Sequence, residues 1–191
     1  GEDGFFKYRV DFDTLENLAE LHNGEIGAIC CSRPTNPTGN VLTDDEMARL
    51  EAIAKRFDIP LIIDNAYGMP FPNIIYSQAT LNWNEQIILC FSLSKIGLPG
   101  VRTGVVVANP QVVKAISSLN AIVNLAPTRF GAAIATPLLQ DDRLKDLSDN
   151  HIRPFYQAQA KLAVQLLKQE LGDLPSPYNN AMKIHKPEGA I

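Results

Sequence analysis

Two rhythms of apolar and polar positions run along this chain, and together they predict alternating strands and helices. Short apolar runs at 27–31, 59–64 and 86–91 have the length and continuity of buried strands, and 103–108 reads as a fourth. Met47, Leu50, Ile53, Ala54 and Phe57 recur at helical spacing, and Thr43 with Glu46 forms a capping box ahead of them. Asp13 with Glu16 suggests a second capping box, opening a helix to about Leu21. Asn109-Pro110 begins a further helix with proline at its first position and an apolar stripe of Val112, Val113, Ile116, Leu119, Ile122 and Val123, ending at Ala126-Pro127. Residues 128–139 predict a short alanine-rich helix and 141–149 a polar helical stretch. A long amphipathic helix over 153–171 would turn Phe155, Leu162, Leu166, Leu167 and Leu171 inward. Short strands are expected at 7–10 and, at a sheet edge, 183–185.

The intervening stretches are loops. Residues 32–40, Ser-Arg-Pro-Thr-Asn-Pro-Thr-Gly-Asn, consist almost wholly of turn formers, and 65–84 is long, irregular and interrupted by Pro70 and Pro72. Strands alternating with helices predict an α/β fold, a mostly parallel sheet with helices on both faces. The segment between the strands at 86–91 and 103–108 has no helical pattern and is too short for a parallel crossover, so these two are expected to run antiparallel to each other, adjacent or not. There are no internal repeats or low-complexity tracts. The expected organisation is one large domain over 1–173 and, from the turn-rich stretch with Pro175 and Pro177 onward, a linker over 174–191 into a second domain. The chain starts at Gly1 and stops where another apolar run begins, so it is expected to be a piece of a longer protein.

Composition narrows the possibilities rather than choosing among them. With 191 residues, 46% hydrophobic and 20% charged, the chain can bury a sizeable core. Seventeen basic against 21 acidic residues give a formal charge of −4, which argues against nucleic acid or an anionic membrane as partner. No apolar run is long enough for a membrane helix. Cys30, Cys31 and Cys90 lie within apolar runs without metal-ligand spacing and are expected to be buried, reduced thiols of a cytoplasmic protein.

The chemistry concentrates at the carboxyl ends of the predicted strands, where open α/β sheets bind ligands. Ser92-Leu93-Ser94-Lys95 follows one apolar strand, then Gly97, Pro99 and Gly100 lead to Arg102. A lysine just beyond a buried strand is a costly place for a charge unless the amine is used, since burial would favour its neutral, nucleophilic form. Alone, the stretch is equally a surface loop. Asp64 follows Leu61-Ile62-Ile63 directly, and a carboxylate there needs a partner such as a cationic ring nitrogen. Tyr67 follows it, and Asn36 sits in the loop after the preceding strand. Each could be packing or a turn residue; three stretches reaching one sheet edge favour a site.

Asn36-Pro37-Thr38-Gly39, Asp64-Asn65-Ala66-Tyr67 and Ser92-Leu93-Ser94-Lys95 with Arg102 downstream, in this order and spacing, resemble the pyridoxal-phosphate-dependent aminotransferases of fold type I. The resemblance is carried by residues 27–109 and extends over the rest of the chain, His185-Lys186-Pro187-Glu188-Gly189 included. It implies pyridoxal 5'-phosphate as cofactor and transfer of an amino group between valine, or a similar aliphatic amino acid, and pyruvate. By matched position, Lys95 would bond to the cofactor aldehyde and later move the substrate proton. Asp64 would pair with the pyridine nitrogen, Tyr67 and Asn36 with the phenolic oxygen, and Ser92, Ser94 and Arg102 with the phosphate. It also implies a homodimer.

Parts of the family pattern have no counterpart here. An upstream phosphate loop, an aromatic that stacks on the cofactor ring and an arginine for the substrate carboxylate are expected outside these residues, and Arg33, Arg129 and Arg153 match no substrate-binding position. The 191 residues alone are therefore expected to bind pyridoxal phosphate weakly and to transaminate poorly or not at all. A lyase or decarboxylase on the same scaffold, or a non-catalytic aminotransferase-like regulator domain, would keep the same residues.

Overall fold

A computed structural model describes residues 4–126, 128–172 and 182–189. At its centre is a four-stranded sheet in the order β2 (Ile29–Ser32), β3 (Leu61–Asp64), β4 (Ile87–Ser92), β5 (Gly104–Val107). The first three strands are parallel and β5 runs antiparallel to β4 as its direct neighbour. A separate two-stranded sheet pairs β1 (Phe5–Phe6) in parallel with β6 (Ile184–His185). The helices are α1 (Phe12–Leu21), α2 (Asp44–Arg56), α3 (Pro110–Asn124), α4 (Phe130–Gln140), α5 (Arg143–Leu147) and α6 (Arg153–Gly172), with one π-helical turn, Ser148–Ile152, between the last two.

The β2–α2–β3 unit shows how sequence sets local structure. The Thr43 hydroxyl accepts from the Glu46 amide, and the Glu46 carboxylate accepts from the Thr43 amide, so two otherwise orphaned donors at the start of α2 are satisfied reciprocally. Asp44, Asp45 and Glu46 sit at the positive end of its dipole, Lys55 and Arg56 at the negative end. Leu50, Ile53 and Ala54 bury the inner face against Ile29, Leu61, Ile63, Ile87, Leu89 and Phe91 of the sheet. Phe12 of α1, Ala135 of α4 and Leu144 of α5 join the same cluster. Strand period then dictates the rest: Cys30, Ile62, Ile88 and Cys90 alternate with these core positions and remain half-buried or exposed.

The fold class and the antiparallel β4–β5 pair are as the sequence predicts, but several details differ. Alpha-1 is capped by Asp11, whose carboxylate accepts from the Thr14 amide and hydroxyl, and not by Asp13, which lies inside the first turn. The first strand is Phe5–Phe6 rather than 7–10, placed by its pairing with β6. Alpha-3 has the predicted stripe, yet Val113, Ile116, Leu119, Ile122 and Val123 are exposed, because among the described residues no element packs over them. Phe155, Leu162, Leu166 and Leu167 of α6 are likewise exposed rather than inward. Cys30 is exposed, and Cys31 and Cys90 are only partly buried; all three are free thiols. The predicted turn-rich linker lies mostly outside the described residues. No described helix is long and apolar enough to cross a membrane.

Candidate active site

Strand register places the candidate residues before any side chain is considered. Ser32, Asp64 and Cys90 are level across β2, β3 and β4, and Ser92 ends β4 opposite Gly104 of β5. The chain leaves three neighbouring strands at one edge of the sheet, through the loops that carry Asn36, Tyr67 and Lys95.

After β4 the chain turns through two short 3₁₀ segments, Leu93–Ile96 and Pro99–Val101, before re-entering the sheet. The Ser92 hydroxyl caps the first, accepting from the Ser94 amide at 3.2 Å. Leu93 and Ile96 anchor the turn in the core. Gly97, at φ 95°, reverses the chain in a conformation that side chains disfavour. Arg102 adopts φ 47° and ψ 49° without being glycine, a local strain of the kind that gathers at functional sites. Its guanidinium donates to the Pro99 carbonyl at 3.4 Å and is otherwise exposed.

Lys95 projects from this turn with its ammonium 4.9 Å from the centre of the Tyr67 ring, a cation–π contact. Among the described residues it has no carboxylate partner. The amine is exposed, not buried as its place after an apolar strand suggests; the neighbours Leu93 and Ile96 take the core positions instead. Asp64 is exposed too, so its carboxylate is hydrated rather than forced to find an internal cation. One of its oxygens accepts from the Ala66 amide at 3.1 Å.

Asn36 occupies an exposed turn after β2 and makes no side-chain hydrogen bond among the described residues. Lys95 and Tyr67 are thus in contact, Asp64 and Ser92 are placed by the ladder, and Asn36 and Arg102 stand on flanking loops without direct contact to the others.

Two supporting residues escaped sequence reasoning. Arg33 is 5% exposed, and its guanidinium donates to the Leu42 carbonyl at 2.7 Å, the Thr80 carbonyl at 2.8 Å and the Asp44 carboxylate at 2.6 Å. It ties the Asn36 loop to the start of α2 and to the loop before β4. That hydrogen bond, with the Thr80 amide, holds the Asp44 carboxyl below the usual carboxylate range. Asn65 is 2% exposed and turns the chain after Asp64, its amide nitrogen donating to the Met69 carbonyl. A buried arginine announces itself only through long-range partners, whereas Asn65, directly after a strand and before Gly68, carried a local turn signal. Nearby, burial pushes the Cys31 thiol up to about 11, and burial followed by the charge of Asp64 raises Cys90.

A lysine, a carboxylate, a phenol, an amide, two hydroxyls and an arginine stand at or beyond one edge of the sheet, a set of groups chemically suited to a small, multiply charged ligand. The chain belongs to the aminotransferase class I and II family, whose model matches residues 5–182. It is 47% identical over 190 residues to the valine–pyruvate aminotransferase of Escherichia coli (strain K12), taking in 99% of this chain and 43% of that protein. Among solved structures, valine–pyruvate aminotransferase from Salmonella typhimurium LT2 matches with a TM-score of 0.87 at 45% identity, covering 100% of this chain and 46% of that one. A candidate amino-acid aminotransferase from Psychrobacter arcticum 273-4 matches with a TM-score of 0.92 at 73% identity, over 100% of this chain and 42% of its own. The chain therefore spans less than half the length of these relatives.

Proposed function

We propose that this chain is the central part of the large, cofactor-binding domain of a pyridoxal-phosphate-dependent aminotransferase that exchanges an amino group between valine, or a similar aliphatic amino acid, and pyruvate. On this reading residues 1–173 belong to the large domain and 174–191 lead toward a smaller one. The protein acts in the cytoplasm as a homodimer. The substrate assignment rests on the 47% identity to a valine–pyruvate aminotransferase. The relatives compared are transaminases by name, which favours amino transfer over a lyase, a decarboxylase or a regulator domain.

The donor set fits the cofactor group by group. Pyridoxal phosphate offers an aldehyde, a basic ring nitrogen, a phenolic oxygen and a phosphate. Lys95 supplies an amine at this edge of the sheet, and among the described residues only the Ala66 amide binds the Asp64 carboxylate, leaving an oxygen for a ring N–H. The Tyr67 hydroxyl and Asn36 amide make no other side-chain hydrogen bond among the described residues. Ser92, Ser94 and Arg102 bring two hydroxyls and a fork of N–H donors suited to phosphate.

When bound, the cofactor supplies an electron sink for the pair left as the amino-acid Cα–H bond breaks. Asp64 holds a proton at the ring nitrogen and so keeps that sink open. Lys95 would be the point of covalent attachment, and its Nζ, once free, would be the base that moves the proton from the substrate Cα. Tyr67 and Asn36 orient the ring through its phenolic oxygen, and the Tyr67 ring face also stabilises the nearby Lys95 ammonium. Ser92, Ser94 and Arg102 would hold the phosphate and so keep the ring in place.

The observation that carries the proposal is the contact of Lys95 with Tyr67, two residues delivered by different loops to the sheet edge where Asp64 ends β3. Spectra of the full-length protein with pyridoxal phosphate test it. Valine and alanine should each bleach the cofactor's visible band, and pyruvate should restore it. A band unmoved by either amino acid would overturn the substrate assignment.

A further inference from the structure

The sheet places Asp64 and Ser92, but it does not place Asn36 or Tyr67. Both stand on irregular loops beyond the strand ends, and a binding group must be held within about 0.5 Å to act on its ligand. Something else must hold those loops. The structure shows a short segment, Lys186 to Gly189, fastened to both.

The links are specific. Val41, at the end of the Asn36 loop, is 1% exposed, and both of its peptide groups are met by an ion pair. Its amide donates to the Glu188 carboxylate at 3.0 Å, and its carbonyl accepts from Lys7 Nζ at 2.6 Å. Lys7 and Glu188 pair directly at 2.6 Å, with Lys186 4.0 Å from the other oxygen. The Glu188 amide donates to the Gly39 carbonyl at 3.2 Å, and the Asn40 side-chain amide donates to the Lys186 carbonyl at 3.2 Å. On the other side, the Glu188 carbonyl accepts from the Tyr76 amide at 2.7 Å, and Gly189 bridges Ile75 in antiparallel fashion. The Tyr67 carbonyl accepts from the Ile74 amide at 3.0 Å, which carries the constraint back to Tyr67.

Packing leaves this junction no slack. A Cβ on Gly189 would lie 2.6 and 2.8 Å from carbons of the Pro34 ring and 2.9 Å from the Ile74 carbonyl oxygen. One glycine thus sits between the two loops, and only glycine fits. Glu188 is 8% exposed, a costly setting for a carboxylate unless it is both paired and hydrogen-bonded.

We infer that the Lys7–Glu188 ion pair is a positioning device that sets the relative placement of Asn36 and Tyr67, with Glu188 its central positioning residue. Glu188 touches neither substrate nor cofactor. Its side chain holds Val41 on one loop and so seats the segment whose main chain bonds Gly39 on that loop and Tyr76 on the other. The cofactor-directed part of this inference rests on the aminotransferase reading above.

The test uses the full-length protein and the variants Glu188→Ala, Glu188→Gln and Lys7→Met, with Asn109→Ala as a control that removes the cap of α3 and a hydrogen bond to the Glu85 carbonyl, neither of them a link in the chain from Glu188 to Asn36 and Tyr67. Three quantities are read: the pyridoxal phosphate dissociation constant, the pH midpoint of its bound visible band, and the melting temperature. Glu188→Ala should weaken cofactor binding about tenfold and move the midpoint, as expected when the hydrogen bonds to the phenolic oxygen are misplaced. Glu188→Gln keeps an acceptor for the Val41 amide and should fall between wild type and Ala. Lys7→Met should resemble Glu188→Ala, and it serves with Glu188→Gln should the Ala variant not fold. Asn109→Ala should lower the melting temperature alone. If the Glu188 and Lys7 variants lower the melting temperature but leave the dissociation constant and the midpoint at wild-type values, the pair is a structural tie only and the inference fails. Borohydride labelling of wild type separates this from the parent reading: label on Lys95 with unchanged Glu188 variants sinks the positioning role alone, whereas no label on Lys95 sinks the aminotransferase site.

Discussion

Replacing Arg33 by methionine tests how the Asn36 loop is held to the body of the fold. Methionine keeps most of the apolar stem and removes the guanidinium. Two carbonyls, Leu42 and Thr80, lose donors at 2.7 and 2.8 Å. Leu42 is half-buried, and leaving its carbonyl unpaired costs about 1–3 kcal/mol, whereas Thr80 is exposed and its carbonyl rehydrates. The third partner, Asp44, has a side chain 41% exposed, so it rehydrates and its lost ion pair adds about 0–1 kcal/mol. Relief from burying a charge offsets part of this. The net expectation is a loss of about 2 kcal/mol, read from urea unfolding followed by circular dichroism. The pH dependence gives an independent check. The folded-state Asp44 carboxyl titrates below its unfolded value, chiefly because of Arg33 and next because of the Thr80 amide. Its contribution is therefore full above about pH 4 and is lost as pH falls further, when the unfolded chain takes up the proton first. The gap between wild type and Arg33→Met should be widest near neutrality and narrow in acid. A loss under about 1 kcal/mol, or a gap that widens as pH falls, would refute the reasoning.

Other outcomes follow from the same geometry. Gly68→Ala would put a methyl 2.6 Å from the Arg33 carbonyl and on top of the Asn65 side-chain oxygen, so it should cost about 2–3 kcal/mol and weaken pyridoxal phosphate binding by displacing Tyr67, read by melting and cofactor titration. Thr43→Ala breaks the capping box of α2 and should cost about 1 kcal/mol in urea unfolding without changing cofactor affinity. Cys31, its thiol pushed up to about 11 by burial, should alkylate with iodoacetamide at pH 8 about two orders of magnitude more slowly than a free thiol, measured by peptide mass spectrometry.

Local pattern carried the fold where local physics decides it. The capping box at Thr43 and Glu46, the face of α2 and the runs that became β2, β3 and β4 are each written within a dozen or so residues. The antiparallel β5 was legible from connection length alone, since no crossover could fit. Asp64 and Ser92 were legible because strand ends deliver them to one edge, whereas Asn36 and Tyr67 depend on how their loops are held. What was not legible depends on partners distant in sequence. The stripe of α3 shows that a helix has an apolar face, not what covers it. The same holds for Phe155 and Leu166 of α6. Arg33 and Glu188 look like surface charges in sequence and are buried only because Asp44, Thr80, Val41 and Lys7 come to meet them. Lys95 erred the other way: its place after an apolar strand suggested burial, but the 3₁₀ turn lifts it out beside Tyr67.

The proposed aminotransferase function stands or falls with Lys95 as the point of cofactor attachment. Borohydride reduction of the full-length protein with pyridoxal phosphate, followed by digestion and mass spectrometry, tests it directly. A pyridoxyl group is expected on the peptide containing Lys95 and none in a Lys95→Ala variant. A pyridoxyl group on another lysine, or an undiminished yield in that variant, would contradict it.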